Sequence, residues 1–322
     1  MLYEFGKILA RIAIKIYCRN IKINNEEFFK SKEPLLLATN HPNSFLDAII
    51  LCTLFDKPVY SLARGDAFKG KLVSNLLRAI KMLPVYRVSE GVENLDGNYK
   101  TFEECIEIFK QNGIILIFSE GRCENEWHLR PLKKGTARLA IAAWEQNIPV
   151  KVVPVGINYN SFNLFGKNIH INFGSPIESS DLNTSFNENG RLLNEVTTTI
   201  QLQLQQLVYE IDKNDLKTRN EKFRADVSIL KKMLLFVPAI LGVLTHWAFY
   251  LPIRKFIAKK ASKTNHFDSI IVGVLILGYP FYLLFWASIV YIIIGGYWGW
   301  LVFVLLPFFA WSYVQIKHQM EE

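Results

Sequence analysis

The chain has 322 residues, half of them hydrophobic, and carries 37 Lys and Arg against 29 Asp and Glu, a formal charge of +8. That length holds one sizeable domain and something smaller, and the basic balance fits an acidic membrane surface or phosphate-bearing substrates as readily as nucleic acid. No Asp, Glu, Lys or Arg occurs from Ser269 to Val314, which decides for a membrane protein and against a nucleic-acid binder. Four cysteines (Cys18, Cys52, Cys105, Cys123) stand at no metal-ligand spacing, so no metal site is expected and the thiols read as free in a reducing compartment.

Taken in order, Met1 to Tyr17 sets Lys7, Arg11 and Lys15 at four-residue intervals among apolar residues. It lacks the unbroken apolar core of a signal peptide, and the reading is an uncleaved amphipathic helix on the membrane surface, segment 1–30. The other arrangement for such a helix is packing its apolar side on the domain. Ile21-Lys22-Ile23 is a scrap of strand, and a polar connector runs from Asn24 to Lys32.

Leu35 to Leu37 look like a buried strand, and Pro42 and Ser44 mark a turn into a helix from Phe45 to Leu51. Between them stand Asn40-His41 and, six residues past the histidine, Asp47. At about 100° per residue, positions six apart are roughly 240° out of phase, so the two cannot share one helical face. They meet only if His41 lies in the turn and Asp47 reaches back. A carboxylate so placed holds one imidazole nitrogen protonated and leaves the other free to take a proton from an alcohol. The plainer reading makes Asp47 a first-turn carboxylate and His41 a loop residue.

Val59–Ala63 predicts a strand, and Ala67–Ile80 a helix with Leu72, Val73, Leu76 and Leu77 toward the core; Arg64-Gly65-Asp66 between them reads as a turn. Met82 to Arg87 is a short strand ending in a cation, Phe102–Lys110 an amphipathic helix, and Gly113–Phe118 a strand apolar throughout, as a central strand would be. It stops at Ser119-Glu120-Gly121-Arg122. Gly135–Gln146 reads as helix, Val150–Ile157 as a buried strand broken by Pro154, and Ile169–Phe173 as a further strand. Asn189–Asp212 is a long helix with one apolar stripe, and residues 213–224 are charged.

The alternation predicts an α/β domain over 31–215, a mixed, mainly parallel sheet flanked by helices, followed by a charged linker (216–232) and a membrane region (233–316) with C-terminal transmembrane helices. Loops at strand ends would gather His41, Arg87 and Glu120-Gly121-Arg122 on one edge. Within the tail, a helical hairpin is expected over 269–314, Ser269 to about Tyr291 and about Tyr297 to Val314. Segment 233–253 is charge-free but flanked by Lys231-Lys232 and by Arg254-Lys255 and Lys259-Lys260. Such flanks disfavour opposite sides of a membrane, so it is expected to dip in and return or to lie at the interface. His128, His170, His246, His266 and His318 have no carboxylate at a helpful spacing and read as structural, His128 alone falling near a motif.

Four motifs in one order, over roughly Pro34 to Asn158, together resemble the glycerolipid acyltransferase family, which includes glycerol-phosphate and lysophosphatidate acyltransferases. These are Asn40-His41 with Asp47; Val85-Tyr86-Arg87; Phe118-Ser119-Glu120-Gly121-Arg122 with Lys134-Gly135; and Val152-Val153-Pro154-Val155-Gly156. Three departures stand out: five residues rather than four separate His41 from Asp47, Ser119 replaces a proline, and Arg122 follows Gly121 directly. Ser119 is no hydrolase elbow, since Ile117 stands where that motif needs glycine. The resemblance implies that His41, oriented by Asp47, deprotonates a hydroxyl of glycerol-3-phosphate or 1-acylglycerol-3-phosphate as it attacks the thioester of acyl-CoA or acyl-carrier protein. It implies that Arg87, Arg122 and Lys134 hold the phosphate, that Glu120 binds or orients the acceptor, and that Gly121 lets the backbone come close. No cofactor beyond the acyl thioester co-substrate is expected. The implied setting is phospholipid synthesis by a multi-pass membrane protein, its catalytic domain on the cytoplasmic side. Alternatives are another lipid acceptor, such as a lysophospholipid or amino-acid lipid, and a non-catalytic membrane scaffold.

Overall fold

The computed structural model describes residues 2–86, 96–184 and 189–317. Among them, β1 (Cys18–Ile23), β2 (Leu35–Thr39), β3 (Val59–Arg64), β4 (Met82–Val85), β5 (Ile114–Phe118), β6 (Lys151–Tyr159) and β7 (Lys167–Phe173) form one sheet in the order β1-β7-β6-β2-β5-β3-β4. Neighbours are parallel except β6 with β7. The sheet is mixed and mainly parallel, with helices on both faces and three long apolar helices after it.

Central strands β2 and β5 are apolar without alternation because both faces are covered. Leu35, Leu37, Ile114 and Leu116 join α1 (Leu2–Tyr17) and α2 (Ser44–Leu54) in one core cluster. Leu36, Ala38, Ile115 and Ile117 join α4 (Asp96–Lys110), α5 (Gly135–Trp144) and α6 (Asn189–Leu207) in another. Pro154 does not break β6. Its carbonyl accepts from the Gly174 N–H at 2.8 Å, so its ring nitrogen faces the β7 side, and the donor that proline lacks falls at the very end of the β6–β7 ladder, which starts at Val155.

Three expectations are corrected here. Helix α3 (Lys71–Ala79) points Leu72, Val73 and Leu76 to solvent, with Leu72 87% exposed, because the helix hangs off edge strand β4 with no layer above it among the described residues. Amphipathicity says that a face wants cover, not that the core supplies it. In α1, two of the three cations expected at the membrane surface bond the domain instead, while Lys15 stays exposed: Lys7, buried, donates through Nζ to the carbonyls of Phe55 (2.6 Å) and Asp56 (3.0 Å), and Arg11, itself exposed, through Nε to that of Thr53 (2.8 Å). They cap the carbonyl end of α2, where the dipole favours positive charge. Ala10, Ile14 and Tyr17 pack on the domain, while Leu2, Phe5, Ile8 and Ile12 stay exposed. The expected linker contains α7 (Leu216–Phe223), whose Phe223 is buried and whose Arg219 guanidinium lies 4.2 Å from the Trp127 ring centre. A stacked cation hides in composition as a linker charge.

Among the described residues, three helices are long and apolar enough to cross a membrane: α8 (Ile229–Ala261), α9 (Phe267–Ile294) and the segment Gly296–Ile316, which contains α10 (Val302–Ile316). The chain reverses at Gly295 and Gly296, and Leu283 of α9 packs against Val302 and Leu306 of α10. Segment 233–253 lies inside one uninterrupted helix, α8, so nothing there dips in and returns. Both ends of α8 are tied to the sheet domain. Only five residues separate its start from Phe223, whose carbonyl accepts from Asn168 Nδ2 at 2.7 Å. Lys231 bonds Gln315 (2.7 Å), which bonds the Arg19 carbonyl (3.1 Å). At the other end, Ile257 and Ala261 are buried against α1 and α9.

Candidate active site

The site forms where β2 ends. Asn40, buried, clamps the turn to β6: its Nδ2 donates to the Ile157 carbonyl (3.0 Å) and its Oδ1 accepts the Ile157 N–H (2.8 Å). His41 follows, outside any helix, and α2 starts at Ser44. The turn between His41 and Asp47 bends at Ser44, whose φ of +50° lies in the left-handed region. For a residue with a β-carbon that conformation costs about 1–2 kcal/mol and persists only where its surroundings enforce it.

The turn brings the pair together. His41 Nδ1 stands 2.9 Å from Asp47 Oδ2, which also accepts the Asn43 N–H at 2.8 Å; Asp47 Oδ1 accepts the Tyr159 hydroxyl at 2.7 Å. Asp47 is fully buried in the first turn of α2, where the helix dipole favours a carboxylate. Three donors satisfy it, as a buried charge requires. Burial, and then the charge of Asp47, push the Tyr159 hydroxyl far above the usual phenol range, so it stays a neutral donor. The His41 ring stacks on Phe118 at 3.7 Å between centres and 15° between planes, with its side chain 16% exposed. With Nδ1 donating to Asp47, Nε2 is left as acceptor.

The third block locks this turn from behind. Glu120 is buried, its Oε2 accepting the His41 N–H (2.9 Å) and its Oε1 the Arg130 N–H (3.0 Å). Burial pushes its carboxyl from 4.5 up to about 7, against the lowering effect of the His41 N–H. Ser119 Oγ pairs with Thr136 Oγ1 at 2.9 Å. Gly121 has φ +72°, and a β-carbon there would stand 2.9 Å from Lys133 Cγ. Arg122 is exposed, 3.3 Å from Glu124; Arg130 reaches Glu124 and Glu126 at 3.6 and 3.4 Å. Lys134 turns to Asn194 of α6 (2.8 Å). Arg87 lies outside the described residues. His41, Asp47, Glu120 and Gly121 are thus brought together, Arg122 stands at the rim, and Lys134 faces away. Among the described residues no cluster of three or more His, Cys, Asp and Glu could hold a metal ion.

Sequence reasoning missed Tyr159, Asn43 and the head of α9. Tyr159 ends the strand of the fourth block, and a tyrosine closing an apolar strand is the signal that could have found it. His266, read as merely structural, holds Ser44 Oγ through Nδ1 at 2.7 Å. Asp268 stands one residue before the charge-free run, and a lone acid at the mouth of a membrane helix is itself a signal.

Residues 20–158 match the family model described as Acyltransferase. Two proteins of Saccharomyces cerevisiae are similar in sequence: glycerol-3-phosphate O-acyltransferase 1, 32% identical over 95 residues (29% of this chain, 12% of that protein), and glycerol-3-phosphate O-acyltransferase 2, 26% identical over 176 residues (51% and 23%). The chain thus spans less than a quarter of the length of either relative. Among solved structures, the 1-acyl-sn-glycerophosphate (LPA) acyltransferase PlsC from Thermotoga maritima aligns with a TM-score of 0.42 and 12% identity, over 63% of this chain and 78% of that one.

Proposed function

We propose, from a chain whose residues 20–158 match the family model described as Acyltransferase, that it is a membrane-bound O-acyltransferase of glycerolipid synthesis. It moves a fatty acyl group from acyl-CoA or acyl-carrier protein to a hydroxyl of glycerol-3-phosphate or its monoacyl product. The observation that carries this reading is the His41–Asp47 pair, joined at 2.9 Å through Nδ1 in a partly exposed ring held flat on Phe118.

In the reaction, Nε2 takes the hydroxyl proton as the alcohol oxygen bonds to the thioester carbonyl carbon. Asp47 stabilises the imidazolium that forms. The tetrahedral intermediate collapses, the carbon–sulfur bond breaks, and the leaving thiolate takes the proton back from Nε2. Ester and free thiol result, and the histidine is restored. Glu120 contributes by gripping the His41 backbone, which fixes the ring's origin. The acceptor phosphate falls to the rim cations, Arg122 with Arg130, together with Arg87 of the second block; guanidinium forks match phosphate oxygens in two places. Lys134 joins them only by releasing Asn194.

For the membrane, α9 and the segment Gly296–Ile316 cross as a hairpin from a domain on the cytoplasmic side. Helix α8, about 50 Å long with both ends tied to that domain, packs along α10 and bonds the middle of α9 through His246 and Thr245, and so belongs to the same membrane bundle. Its exposed apolar residues, Met233, Leu234, Val237, Leu244 and Trp247 among them, face lipid.

The test is acyl transfer in membranes carrying the wild type or His41→Ala. Glycerol-3-phosphate, its monoacyl product and other lyso-acceptors are offered in turn, with acyl-CoA or acyl-carrier protein as donor. Loss of the base should lower turnover about 10²–10⁴-fold. Undiminished turnover in the variant refutes the base assignment, and a wild type that consumes no thioester with any acceptor leaves a scaffold.

A further inference from the structure

Four polar groups of the His41–Asp47 turn are satisfied by the head of membrane helix α9. Asn43 Nδ2 donates to Asp268 Oδ2 at 2.8 Å, and the Asn43 carbonyl accepts from Ser269 Oγ at 2.8 Å. The Leu46 N–H donates to the same Ser269 Oγ at 3.0 Å, and Ser44 Oγ meets His266 Nδ1 at 2.7 Å. Helix α2 has no side-chain cap of its own: Asn43 stands at the capping position, but its Nδ2 is turned to Asp268 and its Oδ1, the atom that would cap, takes no hydrogen bond among the described residues. Ser269 supplies the missing cap from another helix, a bond that first-turn N–H groups otherwise draw from the residue before the helix.

Asp268 is itself pinned. It is 1% exposed, pairs with the buried Lys167 of β7 at 2.8 Å, and accepts the Tyr17 hydroxyl from the end of α1. Lys167 also donates to the Ser161 carbonyl at 2.6 Å. A surface loop relaxes when one contact goes; this one is clamped to a fixed charge at the junction of three elements. The same turn contains the left-handed Ser44, and the Asn43 N–H is one of the three donors on Asp47.

We propose that Asp268 and Ser269 are positioning residues of the acyl-transfer site, so that the membrane hairpin is part of the catalytic machinery and not only its anchor. This rests on the acyltransferase reading above. The hairpin takes over the task of shaping a turn that places five residues between His41 and Asp47 and bends at the left-handed Ser44. Asn43 is the coupling element: its side chain reads the position of α9 and its backbone N–H sets that of Asp47.

The experiment uses the full chain in its membrane. Ser269→Ala removes the cap and leaves every charge in place; kcat should fall about 10-fold with KM for donor and acceptor within about 3-fold of wild type. Ser269→Thr keeps the hydroxyl and should recover most of the loss. Asp268→Asn alone strands Lys167, so it is paired with Lys167→Met, and the pair should show the same kcat-specific loss. Hydrogen–deuterium exchange of the peptide covering 43–50 gives a readout independent of chemistry, and Ser269→Ala should speed it while Ser269→Thr does not. Wild-type kcat and exchange in Ser269→Ala overturn the proposal, as does a loss that Ser269→Thr fails to recover. Faster exchange in Ser269→Ala, in a protein that transfers no acyl group even as wild type, overturns the acyltransferase reading and supports the hold of α9 on the turn.

Discussion

Removing a single oxygen by Tyr159→Phe tests whether the buried carboxylate needs all three of its donors. The hydroxyl gives Asp47 Oδ1 a 2.7 Å hydrogen bond, while Oδ2 serves His41 and Asn43. Asp47 is fully buried, so bulk water does not replace the lost donor. The rest of Tyr159 stays: its ring lies 5.9 Å from that of Phe162 and its carbonyl accepts the Trp127 indole N–H at 2.7 Å. A hydrogen bond to a charged group is worth about 1.5–3 kcal/mol net. Because the imidazolium exists only during turnover, a carboxylate less firmly aimed should forfeit about half of that in the transition state. A fall in kcat of roughly 4- to 12-fold follows. KM should hold, since no part of the buried Tyr159 reaches substrate. Initial rates at saturating acyl donor and labelled glycerol-3-phosphate measure the first quantity, and the unfolding midpoint in detergent reports the stability loss beside it. A destabilised variant with kcat within about 2-fold of wild type would show that Asn43 and the Phe118 stack aim His41 without help. A rise in KM at constant kcat would move Tyr159 into the acceptor pocket.

Three further outcomes are expected. Glu120 gives the fold a pH dependence: its folded carboxyl is raised from 4.5 to about 7, so its contribution is fully present below 4.5 and is lost as pH rises through 7. The gap corresponds to about 3 kcal/mol; the unfolding midpoint should fall between pH 5 and 8, and Glu120→Gln should flatten that fall, whereas an unchanged slope removes Glu120 as its source. Gly121→Ala forces a β-carbon into the left-handed region and against Lys133, and should cost about 1–2 kcal/mol in the same unfolding assay; an unchanged midpoint means that the Glu120-Gly121-Arg122 turn relaxes freely. Cysteines placed at Lys232 and Lys259 should be labelled from the same side of sealed vesicles, because both ends of α8 are tied to one domain; labelling from opposite faces makes α8 a true span.

The sheet was legible because its strands announce themselves: five apolar residues at Ile114–Phe118 with no alternation have little choice but a two-sided central position, and β5 stands between β2 and β3. The His41–Asp47 pair was legible too, since helix geometry alone forbids the two from meeting unless the turn bends, and the turn bends at Ser44. Direction was harder. The apolar face of α3 could be read from its spacing, but whether another layer covers that face depends on β4 being the sheet's edge, which only the strand order reveals. Lys7 and Arg11 have the spacing of a membrane-surface stripe and spend it on the carbonyls of α2, a partner more than 40 residues away.

The same difficulty explains the residues that were overlooked. A charge contributes to sequence patterns as though it were solvated, and Asp268 at the border of an apolar run reads as the place where the membrane segment stops. Its partners, Tyr17, Asn43 and Lys167, come from three separate stretches of chain, and no pair of them is spaced so as to suggest the others. A buried carboxylate has to be paired, however, and the bilayer end of a helix is an expensive place to leave one unpaired. An acid at that position therefore implies, on physical grounds alone, that fixed cationic or donor groups stand nearby. In this chain those groups include the side chain of Asn43, whose backbone N–H also serves Asp47, and that shared residue ties the head of α9 to His41.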